Sequence, residues 1–166
     1  MASLVKKMLL VILAYGYSLG VFASEPLNLI ADKIQQQRFI QAEKLVHKSI
    51  SAQYKSLYNH LHYYPLQPYL DQKRLLNNIR LSNAEEINKF LFKYKGTPLD
   101  WPLRKTWLKY LAKKKKGLLF LKAYKPSNNA ELNCQHLKFR LLSGLTDTVV
   151  LPEVTKLWQV GKSQNK

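Results

Sequence analysis

The sequence predicts an all-α fold, and two observations carry this prediction. Apolar residues recur at intervals of three and four along most of the chain, which is the spacing of one helix face. No segment longer than residues 148–151 shows the alternation of apolar and polar residues that is typical of a strand. Prolines, glycines and capping residues divide the chain into about seven helical segments, which favour either a helical bundle or a stack of helical hairpins.

The first 23 residues have the pattern of a secretory signal peptide. Lys6 and Lys7 precede an apolar run, and Val21-Phe22-Ala23 places a β-branched residue and a small residue at a cleavage site. The run is shorter than the roughly 20 residues that span a bilayer, so an uncleaved membrane anchor is the weaker alternative. We therefore expect residues 1–23 to be removed on export, without stable insertion of the processed chain in the membrane.

The processed chain, residues 24–166, is expected to form one strongly basic helical domain. The whole sequence has 27 Lys+Arg and 10 Asp+Glu, and the first 23 residues hold two lysines and no acid. The remaining balance is 25 against 10, or +15, which attracts polyanions. Export makes nucleic acid an unsuitable partner and favours the cell wall or a membrane surface. A solvated basic face without a specific partner is the alternative.

The first helical region extends over residues 27–61. Phe39, Ala42, Val46 and Ile50 fall on one helix face, and no glycine interrupts the region. We expect one long helix or two helices in close succession.

A proline-aromatic stretch follows, Tyr64-Pro65-Leu66-Gln67-Pro68-Tyr69-Leu70. Each proline disfavours helix at the residue before it, so a corner between two helices is expected here. If Pro65 lies in the first turn of the second helix, then Leu66, Tyr69 and Leu70 share one face that can pack on the preceding helix. This second helix is expected to end near Asn77-Asn78.

Two longer helices are predicted next. The first starts with a capping box formed by Ser82 and Glu85, and Gly96 and Pro98 end it. The second ends in a run of lysines that suits the negative end of a helix dipole. A functional interpretation makes this run a basic patch for wall phosphates or anionic lipid, and a charged helix terminus is the alternative. The buried stripes are Ile87, Phe90, Leu91 and Tyr94 in the first helix and Leu103, Trp107, Tyr110 and Leu111 in the second, and the basic patch is Lys113, Lys114, Lys115 and Lys116.

Three further helices complete the prediction. Residues 118–123 form a short apolar helix closed by Pro126. Asn128 or Asn129 caps a helix that extends through Leu142 and has Gly144 just after its end. A last helix is expected to start around Pro152 and to carry Val154, Leu157 and Trp158.

Three motifs together resemble the amino-terminal helical domain of soluble lytic murein transglycosylases. They are Tyr-Pro-Leu-x-Pro-Tyr-Leu at residues 64–70, Asn133-Cys134, and Leu157-Trp158-x-x-Gly161-Lys162-Ser163-Gln164. The resemblance covers most of the chain after residue 27. It implies stacked helical hairpins that form an incomplete right-handed α-superhelix.

The resemblance also implies a function. The family is periplasmic and cleaves the MurNAc–GlcNAc bond of peptidoglycan without water, which leaves a 1,6-anhydro sugar. Its chemistry belongs to a lysozyme-like carboxy-terminal domain, so the resemblance implies that this chain is the opening part of a longer enzyme and is inactive alone. Its expected partners are peptidoglycan glycan strands and the rest of the same protein. A complete, non-enzymatic periplasmic protein that binds the wall or a protein partner is the alternative.

Cys134 is the only cysteine in the sequence. A buried free thiol is one interpretation of a single cysteine. The resemblance implies instead that Cys134 is half of a disulfide whose partner follows the Lys-Ser-Gln stretch.

No catalytic residue, metal ligand set or cofactor motif is identified in the sequence. The family's acid is a glutamate followed directly by serine, and no glutamate of this chain is followed by serine. Glu85, Glu86 and Glu131 fall in first turns of predicted helices, where ionised carboxylates are favoured. His60 with His62, and Cys134 with His136, are two positions apart and would point away from each other on a helix, so no metal is expected.

Aromatic side chains are the candidates for sugar contact. Most of them occur at helical spacing and are predicted to be core residues, namely Tyr54, Tyr58, Tyr64, Tyr69 and Trp107. Tyr63 and Trp101 lie beside predicted turns and are the best candidates for exposed rings. We expect these two residues to contact the glycan.

Overall fold

The computed structural model describes the backbone of residues 24–144 and 147–159, and the side-chain surroundings of residues 31–144 and 148–156. The expected signal peptide and the Gly161-Lys162-Ser163-Gln164 part of the third motif lie outside these residues. Helices account for the regular structure of the described residues, where no strand occurs, and the all-α prediction is confirmed. The α-helices are α1 Ser24–Leu45, α2 Ala52–Asn59, α3 Gln67–Leu76, α4 Ala84–Lys93, α5 Asp100–Lys113, α6 Gly117–Ala123, α7 Ala130–Leu142 and α8 Asp147–Gln159, with 3₁₀ turns at Val46–Lys48 and Leu81–Asn83.

The chain divides into two compact units, the first ending at Gln67 and the second starting at Pro68. In the part of the chain that the structure describes, no helix combines the length and the apolar character needed to cross a membrane.

The first unit contains α1 and α2, which pack against each other. The predicted helical region is therefore two helices, separated by the 3₁₀ turn and by Ser51, whose hydroxyl caps α2 by accepting from Tyr54 N at 3.2 Å. Ala42 and Val46 are buried as predicted. The prediction for Ile50 is wrong, because the chain leaves the α-helix after Leu45 and the helical spacing no longer applies at this largely exposed residue.

The proline-aromatic stretch contains the predicted break between two helices, but α3 starts at Gln67 and not around Pro65. A turn precedes it, in which Tyr64 N donates to Leu61 O at 2.8 Å and Gln67 N donates to Tyr64 O at 2.9 Å. Leu66 thus lies before the helix. The prediction that Leu66, Tyr69 and Leu70 share one buried face is wrong for Leu66 and Tyr69, which are both substantially exposed. Leu70 is buried. The helix ends at Leu76, next to the predicted end.

The second unit has one hydrophobic core that draws on α3 to α7. The predicted stripes supply much of it, with Tyr94 and Tyr110 only half-buried at its edge. Its buried members are Leu75, Ile87, Phe90, Leu91, Leu99, Leu103, Trp107, Leu108, Leu111, Phe120, Ala123, Leu132 and Phe139.

Several predicted helix ends are confirmed. Gly96 and Gly144 adopt left-handed backbone conformations, with φ of 79° and 96°, just after α4 and α7. Asn129 is the residue that caps α7, since its Oδ1 accepts from Leu132 N at 2.9 Å.

The predicted capping box is wrong. Ser82 lies inside the 3₁₀ turn before α4 and its hydroxyl donates to Asn83 Oδ1 at 3.3 Å. The turn moves the start of α4 to the residue after Asn83, so Ser82 is no longer in a capping position. Glu85 accepts from Lys89 Nζ at 2.8 Å instead.

The last helix also starts earlier than predicted. α8 begins at Asp147 and carries Pro152 inside it, although proline lacks the N–H that a helix interior uses. Packing offsets this loss, because α8 contacts α7, Val150 is buried and Arg140 Nη1 donates to Glu153 Oε1 at 2.6 Å. Val154 is half-buried, and the side chains of Leu157 and Trp158 lie outside the described surroundings.

Candidate functional site

The two aromatic residues that the sequence singles out are exposed. Tyr63 follows α2 and is 92% exposed, the largest exposure among the exposed large hydrophobic residues of the described chain. Trp101 is the second residue of α5 and is 38% exposed. Trp107, six residues further along α5, is completely buried and belongs to the core, as predicted.

Tyr63 borders a cleft of about 310 Å³ in the first unit. α1 contributes a carboxylate and an amide, Asp32 and Gln35, while the end of α2 and the residues after it contribute the rest. These are Asn59, His60, His62, Tyr63, Tyr64 and Pro65. Since α1 packs against α2, residues about 30 positions apart meet at one place.

Local contacts orient the rings of this cleft. The His62 ring stands edge-on to Tyr63, with ring centroids 4.5 Å apart and an interplanar angle of 70°. The Tyr64 ring packs on Phe39 of α1, with centroids 5.6 Å apart. His60 Nδ1 lies 2.7 Å from Ser56 O and holds its ring against the end of α2.

The cleft combines flat apolar rings with planar hydrogen-bonding groups. Gln35 Oε1 is buried and has no hydrogen-bond partner among the described residues. A buried acceptor without a partner is costly, so a donor from a bound molecule would be favoured there. A sugar ring has an apolar face of C–H groups and hydroxyl groups around its edge. Aromatic rings in the cleft match the apolar face, and the amide and carboxylate oxygens match the hydroxyl groups, from which they can accept hydrogen bonds.

The carboxylates of Glu85 and Glu86, which lie in the first turn of α4, are each paired with a cation. Glu85 pairs with Lys89, and the hydrogen bond from Lys89 holds the pKa of Glu85 below its ordinary value. Glu86 pairs with Arg74, whose hydrogen bonds lower the pKa of Glu86 against the opposing effect of partial burial. A carboxylic acid that protonates a glycosidic bond needs a raised pKa, whereas the pKa values of Glu85 and Glu86 are lowered.

Glu131 and Glu153 are paired as well. Glu131 lies in the first turn of α7 and accepts from Lys109 Nζ at 2.9 Å. Glu153 accepts from Arg140. Glu25 lies outside the described side-chain surroundings. Neither Glu131 nor Glu153 lies in an apolar pocket of the kind that an acid catalyst requires.

A buried ion cluster in the second unit was missed by sequence reasoning. Asp100 and Arg104 are both buried and are joined by a hydrogen bond of 2.7 Å from Arg104 Nε to Asp100 Oδ1. Lys125 Nζ donates to Asp100 Oδ2, also at 2.7 Å. The spacing of four residues was the available signal for the Asp100–Arg104 pair, whereas nothing local indicates Lys125. The cluster links α5 to the residues that follow α6, and we assign it a role in stability.

The basic patch surrounds the turn between α5 and α6. Lys113 ends α5 and Lys116 precedes α6, and the side chains of all four lysines are exposed. The structure therefore places the patch at a helix terminus, and its role in binding an anion stays a prediction.

Cys134 is exposed and free in the structure, so a buried thiol is wrong for this residue. A disulfide with a cysteine outside this chain stays a prediction. Within the described residues, no group of three His, Cys, Asp or Glu side chains is arranged to hold a metal ion.

His136 contributes to packing. Its ring stacks on Tyr124, with centroids 3.8 Å apart and an interplanar angle of 7°. Burial lowers the pKa of His136, and the positive charge of Arg140 lowers it further, against the opposing effect of Glu153. The folded protein therefore favours neutral His136.

We expect His136 to make the protein less stable in mild acid. Its folded pKa lies below the unfolded value of about 6.5, so the unfolded chain takes up the proton first as the pH falls. This contribution is present above about pH 6.5 and is lost as the pH falls toward the folded pKa. His136→Phe, which keeps an aromatic ring on Tyr124, should show a smaller drop in urea midpoint between pH 7.5 and 5.5. An equal drop in both proteins would show that His136 does not contribute.

Comparisons with known proteins give no family: no family model, no curated protein and no solved structure matches this chain.

Proposed function

We propose that this chain is the amino-terminal helical part of a periplasmic lytic transglycosylase, which holds a peptidoglycan glycan strand. A lysozyme-like domain outside this chain performs the cleavage of the MurNAc–GlcNAc bond to a 1,6-anhydro product. The observation that carries the proposal is the cleft of the first unit, with Tyr63 at its border and Asp32 and Gln35 in its wall.

The position of the cleft supports the proposal. Tyr64 and Pro65, which begin the motif that resembles the transglycosylase family, line it together with Tyr63. Its volume of about 310 Å³ is near the lower end of the range for small-ligand sites. A sugar ring could stack its C–H face on Tyr63 while its hydroxyl groups donate to Gln35 Oε1 and Asp32.

The charges support a division of labour between domains. The cations paired with Glu85 and Glu86 lower the pKa of both carboxyl groups, so these two glutamates do not provide a protonated acid. The net charge of the processed chain, +15, attracts the carboxylates and phosphates of the wall. Binding without chemistry is the role that such a surface supports.

We also propose that the helices of the second unit stack as the start of a right-handed superhelix. From α4 to α8, each helix packs against the next one in the chain, which is the contact pattern of a solenoid. A crystal structure in which these helices form a closed bundle would contradict this proposal.

Tyr63→Ala should weaken binding to purified glycan strands by about 5- to 10-fold, because one stacked ring contributes roughly 1–1.5 kcal/mol. Trp101→Ala should weaken binding by a similar factor, because Trp101 is the second proposed glycan contact. Pull-down with insoluble murein at a series of protein concentrations measures both. Phe92→Ala is the matched control, since Phe92 is a largely exposed ring that lies outside the cleft. Unchanged binding after the Tyr63 and Trp101 substitutions would exclude these rings as glycan contacts.

A further inference from the structure

A second and larger cleft lies in the second unit, beside the end of α5, α6 and α7. Its volume is about 700 Å³. Its apolar wall is formed by Leu118, Leu121, Phe139 and Leu142.

Three lysines also line this cleft. They are Lys113 at the end of α5, Lys115 in the following turn and Lys138 on α7. Among the described residues that line the cleft, none is acidic. The cleft therefore combines an apolar wall with a positive border.

Two leucines extend from this region into solvent. Leu118 is 81% exposed and Leu142 is 72% exposed. Large exposed apolar side chains next to an apolar cleft are a feature of interaction surfaces. The cost of exposing them is offset if they enter an apolar environment when a partner binds.

The floor of the cleft is fixed by core packing. Phe139 packs on Phe120, with ring centroids 5.1 Å apart. Gly117 approaches the Phe139 ring so closely that an added Cβ would lie 2.9 Å from Cδ1. The apolar wall is thus preformed and does not depend on a partner.

Within the described residues, no ion pair neutralises Lys113, Lys115 or Lys138. Residues 105–125 contain eight lysines and no acidic residue. Glu131 and Glu153, two acidic residues near the cleft along the chain whose surroundings the structure describes, are paired with Lys109 and Arg140. The lysines of the cleft thus keep their attraction for an external anion.

Lys115 has an unusual backbone conformation. Its φ of 53° is in the left-handed region, where a non-glycine residue is strained and glycine would not be. This position nevertheless carries a lysine, and that lysine lines the cleft. Strain of this kind is common at binding sites.

We propose that this face docks on the surface of an anionic phospholipid bilayer. Leu118 and Leu142 insert among the headgroups, and Lys113, Lys115 and Lys138 contact lipid phosphates. Lysines around exposed leucines match the combination of charge attraction and apolar insertion that holds peripheral proteins on anionic membranes. A wall polyanion would engage the lysines and leave the leucines exposed, so a bilayer accounts for both.

The test is co-sedimentation of the processed chain, purified from a periplasm, with vesicles. We expect binding to vesicles that contain phosphatidylglycerol and none to vesicles of phosphatidylcholine alone. The triple variant Lys113→Ala, Lys115→Ala, Lys138→Ala should bind on the order of 100-fold more weakly, which corresponds to about a 5-fold loss for each lysine. Leu118→Asn combined with Leu142→Asn should bind about 10-fold more weakly, because two apolar side chains are no longer buried.

A matched control separates this face from net charge. Lys33→Ala, Lys44→Ala and Lys55→Ala remove the same charge from exposed positions of the first unit. This variant should lose less than about 5-fold, the effect of a single surface lysine. Equal losses in the two triple variants would overturn the proposal. Absence of binding to anionic vesicles would also overturn it. Leucine substitutions that leave vesicle binding unchanged would overturn it as well, since the face would then be a site for soluble polyanions. Circular dichroism checks that each variant is folded.

This inference does not depend on the proposed glycan site. Tyr63→Ala should bind anionic vesicles as the unchanged protein does. The lysine and leucine variants of the second cleft test lipid docking alone, so either proposal can fail without the other.

Discussion

Asp100→Asn is expected to lower the free energy of unfolding by about 3–5 kcal/mol, the cost of breaking a buried ion pair. The carboxylate accepts from three donors: Arg104 Nε, Lys125 Nζ and, at 3.1 Å, Gly96 N. The substitution keeps the size of the side chain and removes its charge. The Arg104 guanidinium then stays buried without its counter-charge.

The position of Arg104 explains the size of this effect. Arg104 Nη1 donates to Ala123 O at 2.6 Å and Nη2 donates to Leu91 O at 3.3 Å. One guanidinium thus satisfies carbonyl groups at the end of α6 and in α4, while its own charge depends on Asp100. Loss of the carboxylate affects the junction of α4, α5 and α6 together.

The same cluster gives a pH dependence. Burial raises the pKa of Asp100, but the hydrogen bonds from Lys125, Arg104 and Gly96 together outweigh it and hold the pKa below its ordinary value. The stabilisation is complete above the unfolded pKa of about 3.9 and is lost as the pH falls toward the folded pKa. Asp100→Asn should therefore lose part of the acid-induced fall in stability that the unchanged protein shows below about pH 4.

Urea unfolding followed by circular dichroism measures the Asp100 effect. Glu85→Gln is the control, because it removes one charge from a solvent-exposed pair on α4 and should leave the urea midpoint nearly unchanged. A loss below about 1 kcal/mol in Asp100→Asn would mean that the cluster contributes no more than a surface pair.

Trp107→Ala is expected to have a similarly large effect, about 3–5 kcal/mol. Trp107 is completely buried in the core of the second unit, and its ring stacks on Tyr110 with centroids 5.6 Å apart. Truncation would remove a large apolar side chain and leave a cavity that the surrounding helices fill only in part.

Trp101→Ala is the matched control, since it changes the same residue type in the same helix at a partly exposed position. We expect its cost to be less than half that of Trp107→Ala. Comparison of the urea midpoints of the two variants tests this expectation. Equal midpoints would show that the core is not centred on Trp107.

Local signals predicted most helix ends and the main core stripes. Asn129, Gly96 and Gly144 act through their own backbone or side chain, so their effects could be inferred from the sequence. Ile50, Ser82 and Pro152 were placed incorrectly. In each case a neighbouring turn or a packing contact moved the helix boundary, and a periodic pattern does not contain that information.

The candidate sites were predicted only in part, for the same reason. Tyr63 could be named because it lies beside a turn, but Asp32 and Gln35 join it only through packing of α1 on α2. Lys125 reaches Asp100 across 25 positions of sequence. Contacts of this kind follow from tertiary structure, whereas helical spacing predicts only neighbours within a turn or two.

The most direct test of the central claim compares two preparations on purified murein. The first is the processed chain, which should bind murein and release no anhydro-muropeptides. The second is the protein expressed from its own locus, whose intact mass should be several times 19.4 kDa and whose fraction should release 1,6-anhydro products. Anhydro-muropeptides released by the processed chain alone would contradict the division of labour. A native mass that matches the processed chain, without murein cleavage, would contradict the transglycosylase and leave a wall-binding helical protein.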